Sequence, residues 1–396
     1  MRVALVHDYI KEYGGAERVL EALHEVFPDA PVYTTVYLPE FLGPHREKFE
    51  NPPSGEASWD IKTSFLQFLP FKHKLISPIR LVAPFVFKTF NFSQFDIVIV
   101  SATGAYSPNS IRTTINNSQL TTNKKKPIHI CYSHTPPRYL YGFATAREWK
   151  NNIIVRVFGE LANHFLRLID YKSSQNVDYF IANSKNIAER IKKFYKKDAT
   201  VVYPPVEISN PKSQAPNKSQ NTKYKIRNTN YYLAGGRIAR PKNIELIIEA
   251  FGKLKIPLKV FGRSFGGLSI SVSKHPNIEM LGEVSDEDKL ELMRGAKAFV
   301  IAAEDEDFGI TPVEAMSVGT PVIAYRSGGV LETVIDGKTG LFFEELTIAS
   351  LSKAIKQFSN LTIKPEDCIL QASKFSKDRF KKEIKDFVER AYAGNS

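Results

Sequence analysis

The stretch that decides the fold is Val300–Tyr325, which reads VIAAEDEDFGITPVEAMSVGTPVIAY. An apolar strand ends in a cluster of four acids, a Phe-Gly turn follows, and a short helical pattern leads into a second apolar strand. Strand, helix and strand in this order are typical of a parallel α/β sheet. Seven residues separate Glu306 from Glu314, with Gly309 between them. The spacing predicts one acid at the mouth of the strand-to-helix turn and the other inside the helix.

The start of this predicted helix is expected to bind an anion. Backbone N–H groups of Gly309, Ile310 and Thr311 should face outward there, where a helix N-terminus favours negative charge. Glu306 and Glu314 would then share one ligand, with one carboxylate at its hydroxyl groups and the other at a ribose. A site of this kind suits a sugar nucleotide.

Length and charge limit the class of protein. A chain of 396 residues is too long for one ordinary core and predicts two domains. Its 43% hydrophobic and 24% charged residues are typical of globular proteins. The net charge is +12, and the first 200 residues carry 26 lysines and arginines against 18 acids. An uneven basic charge suits anionic lipid, phosphorylated substrates or nucleic acid.

Cysteine content and hydropathy predict a cytoplasmic protein. Cys131 and Cys368 are far apart and lack metal-ligand spacing, which argues against a disulfide scaffold or a zinc site. The apolar run at the N-terminus is interrupted at His7 and Asp8 and is too short for a signal peptide. No uncharged stretch approaches the ~18 apolar residues that a membrane-spanning helix needs.

Strands alternate with helical patterns in both halves, which predicts two α/β domains with doubly wound parallel sheets. Residues Glu207–Asn230 are rich in Asn, Lys, Ser, Gln and Pro and predict a polar linker. We therefore expect a first domain at 1–206, a linker at 207–230, a second domain at 231–374 and a C-terminal helix at 375–396.

Two sites in the first half are candidates for ligand binding. Gly14-Gly15 lies between a strand and a helix, where the backbone can approach a phosphate closely, or forms a plain turn. His134 follows a predicted strand, and ligands in open α/β sheets bind beyond the carboxyl ends of strands. A histidine there either hydrogen-bonds a sugar hydroxyl or has a structural role.

Two segments of the first half have the composition of a lipid-binding surface. Residues 61–95 contain no acid, five lysines and arginines and eight phenylalanines, which suits a helix in a membrane interface. The alternative is that most of these phenylalanines belong to the core. The polar loop Asn116–Lys126 ends in three lysines that would meet lipid phosphate or solvent. Arg156–Tyr171 is predicted to be an amphipathic helix.

The second half opens with a strand followed by Gly235-Gly236 and two cations, Arg237 and Lys242. Arginine grips phosphate oxygens in a bidentate fashion, and lysine acts as a point charge. Cations beside a glycine-rich strand end predict a polyanion site, and a basic surface turn is the alternative. Asp305-Glu306-Asp307 also spells the DxD pattern of metal-dependent sugar transferases, in which the acids hold Mg²⁺ or Mn²⁺ against a diphosphate.

Three motifs occur in order along the chain: HTPPRYLYG, GGRIARPKN and EDFGITPVE. By these motifs the chain resembles retaining glycosyltransferases of family 4 over nearly its whole length. The resemblance implies the GT-B fold of two facing Rossmann-like domains, with the donor mainly in the C-terminal one and the acceptor in the N-terminal one. It also implies that the last helix crosses back to the N-terminal domain. The motifs are similar to those of mannosyltransferases of polysaccharide assembly.

The resemblance also implies roles for individual residues. Arg237 and Lys242 resemble the cations that bind the donor diphosphate, Glu306 the acid that contacts the donor sugar, and Glu314 the acid that holds the ribose. His134 resembles the histidine beneath the donor sugar, and Gly14-Gly15 the loop that closes over the phosphates. The implied catalytic residues are His134, Glu306, Arg237 and Lys242. The implied donor-binding residues are Gly14, Gly15, Arg237, Lys242, Glu306, Phe308, Gly309, Ile310, Thr311 and Glu314.

The expected activity is transfer of a hexose, with mannose from GDP-mannose preferred, onto a lipid-linked or polysaccharide acceptor in cell-envelope glycan synthesis. A transferase using a UDP sugar, a nucleotide-sugar 2-epimerase and a non-catalytic surface-binding protein are the alternatives. No metal or other cofactor is expected, because Arg237 and Lys242 already supply positive charge. An anionic membrane at the inner face is a possible partner. Nucleic acid is not expected, because the basic residues are scattered, and a dehydrogenase is disfavoured because GxGxxG is absent.

Overall fold

The computed structural model describes residues 1–50, 58–113, 126–145, 153–208, 230–268, 270 and 272–395. They form two compact units. The first unit contains Met1–Phe143, residues 153–205 and the end of the chain from Asp378. The second unit contains residues 144–145 and Val206–Lys377. Except for residues at their ends, the predicted linker Glu207–Asn230 and the loop Asn116–Lys126 lie outside the described residues.

The first unit is built on a seven-stranded parallel sheet with the order β3-β2-β1-β4-β5-β6-β7. Its strands are β1 Val3–His7, β2 Val32–Thr34, β3 Ile61–Thr63, β4 Ile97–Ala102, β5 Ile128–Ser133, β6 Tyr179–Ala182 and β7 Ala199–Val201. Every residue of β1, β4 and β5 is buried, as expected where helices cover both faces of a parallel sheet.

The second unit has a six-stranded parallel sheet with the order β10-β9-β8-β11-β12-β13. Its strands are β8 Tyr232–Gly235, β9 Leu258–Phe261, β10 Ile278–Gly282, β11 Phe299–Ile301, β12 Val322–Tyr325 and β13 Gly340–Phe343. Two parallel sheets with packed helices confirm the prediction of two doubly wound α/β domains.

Helices fill the connections between strands. In chain order they are α1 Gly15–Val26, α2 Glu47–Glu50, α3 Lys72–Ile79, α4 Ala83–Phe87, α5 Ile153–Gln175, α6 Lys185–Tyr195, α7 Ile244–Leu254, α8 Asp286–Arg294, α9 Ile310–Ser317, α10 Val330–Thr333, α11 Ile348–Phe358, α12 Pro365–Ser373 and α13 Lys377–Ala393. Several begin at side-chain caps. Ser184 accepts a hydrogen bond from the Ile187 N–H, and Ser285 accepts one from the Asp288 N–H.

The last helix packs within the first unit. Phe380, Ile384, Val388 and Ala391 of α13 recur every three or four residues and are buried in the core of that unit. The Phe380 ring lies 5.7 Å from the ring of Tyr132 on β5. These contacts fix the end of the chain to the sheet that begins it.

In each sheet the strand order reverses at one place, between β1 and β4 in the first and between β8 and β11 in the second. Ligands of open α/β sheets bind beyond the carboxyl ends of the strands at such a switch point. His7 and Ser101 lie there in the first sheet, and Gly235 and the 304–309 segment lie there in the second. The candidate site residues therefore occupy the positions at which the fold favours a ligand.

Candidate functional site

The carboxyl edge of the second sheet is lined by closely packed glycines. Gly236 has a φ of +109°, and a Cβ placed on it would lie 3.7 Å from Thr311 Oγ1. Gly262 has a φ of +122°, and its Cβ would lie 1.8 Å from the Gly236 carbonyl oxygen. Only glycine fits at position 262, because the neighbouring backbone cannot retreat as a flexible side chain can. This packing brings the end of β8 next to the first turn of α9.

Lys242 and Glu306 meet beside this glycine edge. Lys242 Nζ donates a hydrogen bond to Glu306 Oε2, and the two charges form an ion pair. Two further bonds join the segments that carry them: Asn243 Nδ2 to the Ala302 oxygen at 2.9 Å, and the Glu304 N–H to the Pro241 oxygen at 2.8 Å. The cation predicted for the diphosphate and the acid predicted for the sugar are thus held together although 64 positions separate them.

A pair of glycines supports the Glu306 backbone. The Gly329 N–H donates to the Glu306 carbonyl oxygen at 2.6 Å. Gly328 has a φ of +67°, and a Cβ on it would lie 2.3 Å from the same oxygen. Asp305, at φ +52°, donates its N–H to Ser327 Oγ at 3.3 Å. Hydrogen bonds to residues 327–329, which lie just before α10, therefore hold the loop that carries Glu306 in place.

The first turn of α9 is the place at which the sequence predicts outward backbone N–H groups of Gly309, Ile310 and Thr311. Gly309 is the N-cap with a φ of +92° and supplies no side-chain cap. Ile310 and Thr311 are partly exposed. Phe308 is 3% exposed, and its ring lies 5.4 Å from that of Phe375, so its side chain packs in the interior. Any contact of Phe308 with a ligand comes from its backbone.

Glu314 lies inside α9 and is buried, with 5% of its surface exposed. Its Oε1 accepts a hydrogen bond from Lys289 Nζ of α8 at 2.9 Å. Sequence reasoning missed Lys289, because it meets Glu314 only through the packing of α8 against α9. A role for Glu314 at a ribose stays a prediction, and Lys289 is the side chain that holds its carboxylate in place.

Arg237 is exposed at the end of β8. Its guanidinium carbon lies 4.1 Å from the centre of the Phe265 ring, which is cation–π distance. The aromatic face orients a side chain that otherwise loses much rotamer freedom on binding. Phe265 was also missed by sequence reasoning, since its ring reaches Arg237 only through the connection after β9.

The first unit has a chain of polar groups at its switch point. Strand register pairs His7 of β1 with Ser101 of β4, and His134 follows the neighbouring strand β5. His7 Nδ1 lies 3.1 Å from Ser101 Oγ, and Ser101 Oγ lies 3.0 Å from His134 Nε2. His134 Nδ1 has no hydrogen-bond partner among the described residues. The hydrogen bond between Ser101 Oγ and His134 Nε2 therefore orients the His134 ring and leaves Nδ1 available.

Glu17 connects this chain to the glycine loop. The Gly14 N–H donates to Glu17 Oε2 at 2.9 Å, and Glu17 Oε1 lies 3.7 Å from His7 Nε2. Gly14 is the N-cap of α1, and Gly15 is the first residue of that helix. Gly14, Gly15 and His134 are thus brought together in the first unit, through two residues, His7 and Glu17, that sequence reasoning did not select.

One pair of tautomers joins these groups. With a proton on His7 Nε2, 3.7 Å from Glu17 Oε1, His7 Nδ1 would accept the Ser101 hydroxyl and Ser101 would accept the N–H of His134 Nε2. His134 Nδ1 is then left as an acceptor. Burial, with a smaller contribution from His7, lowers the pKa of His134 to about 3. His134 is accordingly neutral above this pH and suited to accept a hydroxyl proton in a hydrogen bond.

Asp8 is a further buried acid beside this chain. Its Oδ2 accepts hydrogen bonds from the Thr103 N–H at 2.6 Å and from the Thr103 hydroxyl. Its Oδ1 is buried with no hydrogen-bond partner in the described part of the chain, and burial raises the pKa of this carboxyl. The signal for His7 and Asp8 was present in the sequence, because two polar residues end a fully apolar strand.

Ser101 provides a test of this arrangement. In Ser101→Ala we expect kcat/KM to fall about tenfold, since a net hydrogen bond contributes about 1 kcal/mol. Ser174→Ala, which removes another buried hydroxyl of the same unit, is the control. ¹⁵N NMR of the histidine rings should show His134 neutral from pH 5 to 8 in the wild type, with its tautomer altered in Ser101→Ala. A wild-type His134 that titrates near pH 6.5 would contradict this arrangement.

The acids of the DxD pattern are Asp305, Glu306 and Asp307, which follow strand β11. Within the part of the chain that the structure describes, no group of three or more histidines, cysteines, aspartates and glutamates is arranged to hold a metal ion. Glu306, the central residue of that pattern, is paired with Lys242.

Two family models match the chain. The model described as Glycosyltransferase Family 4 matches residues 13–210, half of the chain, and the model described as Glycosyl transferases group 1 matches residues 217–375. The chain belongs to glycosyltransferase family 4. The resemblance inferred from HTPPRYLYG, GGRIARPKN and EDFGITPVE is thereby confirmed.

Individual relatives of this family 4 chain include mannosyltransferases. It is 24% identical over 330 residues to alpha-1,3/1,6-mannosyltransferase ALG2 of Dictyostelium discoideum, covering 74% of this chain and 73% of that protein. It is 28% identical over 192 residues to an uncharacterized glycosyltransferase of Methanocaldococcus jannaschii, covering 48% of this chain and 51% of that one. The match thus spans about half the length of the latter relative.

Solved structures show the same fold. The Anabaena protein HepE, crystallised in complex with UDP, superposes with a TM-score of 0.66 at 15% identity, covering 98% of this chain and 100% of that one. A likeness at this identity concerns the fold, and it confirms the GT-B architecture that the motifs of this family 4 chain implied.

Proposed function

We propose that the protein transfers a hexose from a nucleoside diphosphate sugar to a hydroxyl of a lipid-linked or polysaccharide acceptor. The observation that carries this proposal is the Lys242–Glu306 pair at the glycine edge of the second sheet. A cation and a carboxylate side by side match a ligand in which a diphosphate is joined to a sugar. The exposed Arg237 and the first turn of α9 add positive potential near the same strand ends.

The proposed chemistry follows from these charges. As the bond between the anomeric carbon and the diphosphate oxygen breaks, negative charge grows on the diphosphate, where Lys242, Arg237 and the α9 N–H groups stabilise it. The acceptor oxygen forms the new bond on the same face of the sugar, and its proton passes to the departing phosphate. The anomeric configuration is retained. His134 is neutral, and in this proposal its Nδ1 accepts a hydrogen bond from a sugar hydroxyl.

GDP-mannose is the proposed donor. Its support is the similarity to the alpha-1,3/1,6-mannosyltransferase ALG2 and the motifs shared with mannosyltransferases. The competing donor is a UDP sugar, which the UDP complex of the Anabaena neighbour favours. We further propose that the reaction needs no metal ion, since Lys242 and Arg237 supply the cations. The proposed setting is cell-envelope glycan synthesis at the cytoplasmic face of the membrane.

The test is an assay of the full chain with GDP-mannose or UDP-glucose, an amphiphilic acceptor such as octyl mannoside, and EDTA. We expect hexosyl transfer that requires the acceptor, with retained configuration in the ¹H NMR spectrum of the product. Conversion of the donor without acceptor would instead identify a 2-epimerase. Activity that EDTA abolishes and Mn²⁺ restores would refute the metal-independent mechanism.

A further inference from the structure

The long helix α5 is amphipathic in the opposite sense to an ordinary core helix. Its inward side is polar: Asp170 accepts hydrogen bonds from Ser107 at 3.0 Å and from Tyr195 at 2.8 Å, and Ser173 bonds Ser110 at 2.7 Å. Asp170 and Ser173 are of the polar types that a helix usually turns to solvent, and here both are buried. These bonds fix the orientation of the helix on the first unit.

The outward side of α5 is apolar. Val157, Leu161, Phe165 and Leu168 are spaced by three or four residues and are 60%, 55%, 57% and 55% exposed. Phe158 is 67% exposed beside them. A stripe of large apolar side chains over four turns of helix is far more than the scattered exposure that monomeric proteins tolerate. The stripe therefore calls for a partner.

A second exposed apolar group lies between β3 and α4. Phe65, Phe68, Phe71 and Phe85 are 60%, 86%, 69% and 56% exposed. They are half of the eight phenylalanines in residues 61–95. The alternative that most of these eight side chains belong to the core is therefore wrong. The prolines of the segment limit it to the short helices α3 and α4. Phe65, Phe68 and Phe71 precede α3, and Phe85 lies on α4.

The two groups belong to one side of the first unit. The short turn Pro108–Ser110 packs against both α4 and α5, and Ser110 bonds directly to Ser173 of α5. We call the two sets together the apolar face, and it consists of the exposed apolar side chains of α5 and the exposed phenylalanines and lysines of residues 65–88. Among the described helices, none is long and apolar enough to cross a membrane.

Lysines flank the aromatic side chains of this face. Lys74 Nζ lies 5.8 Å from the centre of the Phe71 ring, and Lys88 Nζ lies 5.4 Å from that of Phe85. No acid occurs between Asp60 and Asp96. Aliphatic stems beside the rings and ammonium groups at their rim suit insertion of the rings at headgroup depth, where the lysines reach lipid phosphate.

We propose that the apolar face docks the first unit onto an anionic lipid bilayer. Its phenylalanines and leucines enter the interfacial region, and its lysines bind the headgroup phosphates. A second copy of this chain fits the face less well, because a two-fold interface would set the lysines of residues 65–88 against each other, and that segment contains no acid to neutralise them. Docking rests on the membrane setting of the proposed function, but no residue proposed for glycosyl transfer belongs to the face, so the two can be tested separately.

Vesicle co-sedimentation of the full chain tests the proposal. The probes are vesicles of phosphatidylcholine alone and of phosphatidylcholine with 30% phosphatidylglycerol. We expect binding to the anionic vesicles, with the partition coefficient reduced about tenfold or more in Leu161→Ser/Phe165→Ser and in Phe68→Ser/Phe71→Ser. Lys74→Gln should reduce it roughly fivefold. Leu370→Ser is the control, because Leu370 is 63% exposed on α12 of the second unit.

Two outcomes would overturn the proposal. One is that the wild-type protein does not co-sediment with anionic vesicles, or that the double variants bind them with the same partition coefficient as the wild type. The other is a dimer in light scattering that Phe165→Ser dissociates, which would assign the face to a second copy. Each double variant is tested with its melting temperature, and the two pairs lie on different elements, so misfolding of one leaves the other informative. Transfer to a soluble acceptor should be unchanged in both, which separates this test from that of the proposed function.

Discussion

Replacing Lys242 by alanine is expected to lower kcat/KM by about 10²–10³-fold, the usual effect of removing one group that stabilises developing negative charge. Lys242 is the cation that forms the ion pair with Glu306. The loss should appear in both KM and kcat, because Lys242 binds the diphosphate of the donor and also stabilises the charge that grows as the sugar departs.

Lys259→Ala is the matched control for this variant. Lys259 forms a similar ion pair in the same unit, with Glu279 at 3.3 Å. The two residues lie on β9 and β10, and β8 separates these strands from β11. We expect its kcat/KM to stay within about twofold of the wild type, since an isolated partly exposed ion pair contributes at most about 1 kcal/mol to stability. Lys242→Ala with wild-type turnover would remove Lys242 from the site.

Replacing Gly328 by alanine is expected to disrupt the Glu306 loop. The new Cβ would lie 2.3 Å from the Glu306 oxygen and 2.7 Å from its nitrogen, and both are backbone atoms that move only with the loop. The carboxylate of Glu306 would shift, and a displacement of about 1 Å at a reacting centre costs on the order of 10²-fold in rate. Steady-state kinetics of the purified variant measures the loss.

Gly337→Ala separates this displacement from backbone strain. Gly337 has nearly the same φ, +71° against +67°, yet a Cβ on it meets nothing within 4 Å. Both variants therefore pay about 1 kcal/mol for a left-handed alanine, and only Gly328→Ala adds the collision. Equal kinetics in the two variants would show that the Glu306 loop does not depend on Gly328.

Much of the fold could be predicted from the sequence because its strands are short apolar runs ended by polar or glycine residues. β5, β8 and β11 are of this type, and their ends predicted where His134, Arg237 and Glu306 would lie. The second-unit site was predictable for the same reason: GGRIARPKN and EDFGITPVE each follow a strand, and the carboxyl ends of parallel strands share one edge.

The partners of these residues could not be predicted. His7 meets Ser101 through strand register across 94 positions, and Glu314 meets Lys289 through the packing of α9 on α8. Periodicity predicted an amphipathic helix at Arg156–Tyr171 but not which side is buried. The usual assumption places the apolar side inward, whereas in α5 the hydrogen bonds of Asp170 and Ser173 hold the polar side inward.

Calorimetric titration of the full chain with GDP-mannose and with UDP-glucose, in buffer containing EDTA, tests most directly that the protein holds a nucleoside diphosphate sugar at Lys242 and Glu306. We predict saturable binding of one of the two donors in the micromolar to millimolar range typical of enzyme substrates, weakened at least about tenfold in Lys242→Ala. Absence of binding by both donors, or equal affinity in the wild type and Lys242→Ala, would contradict it.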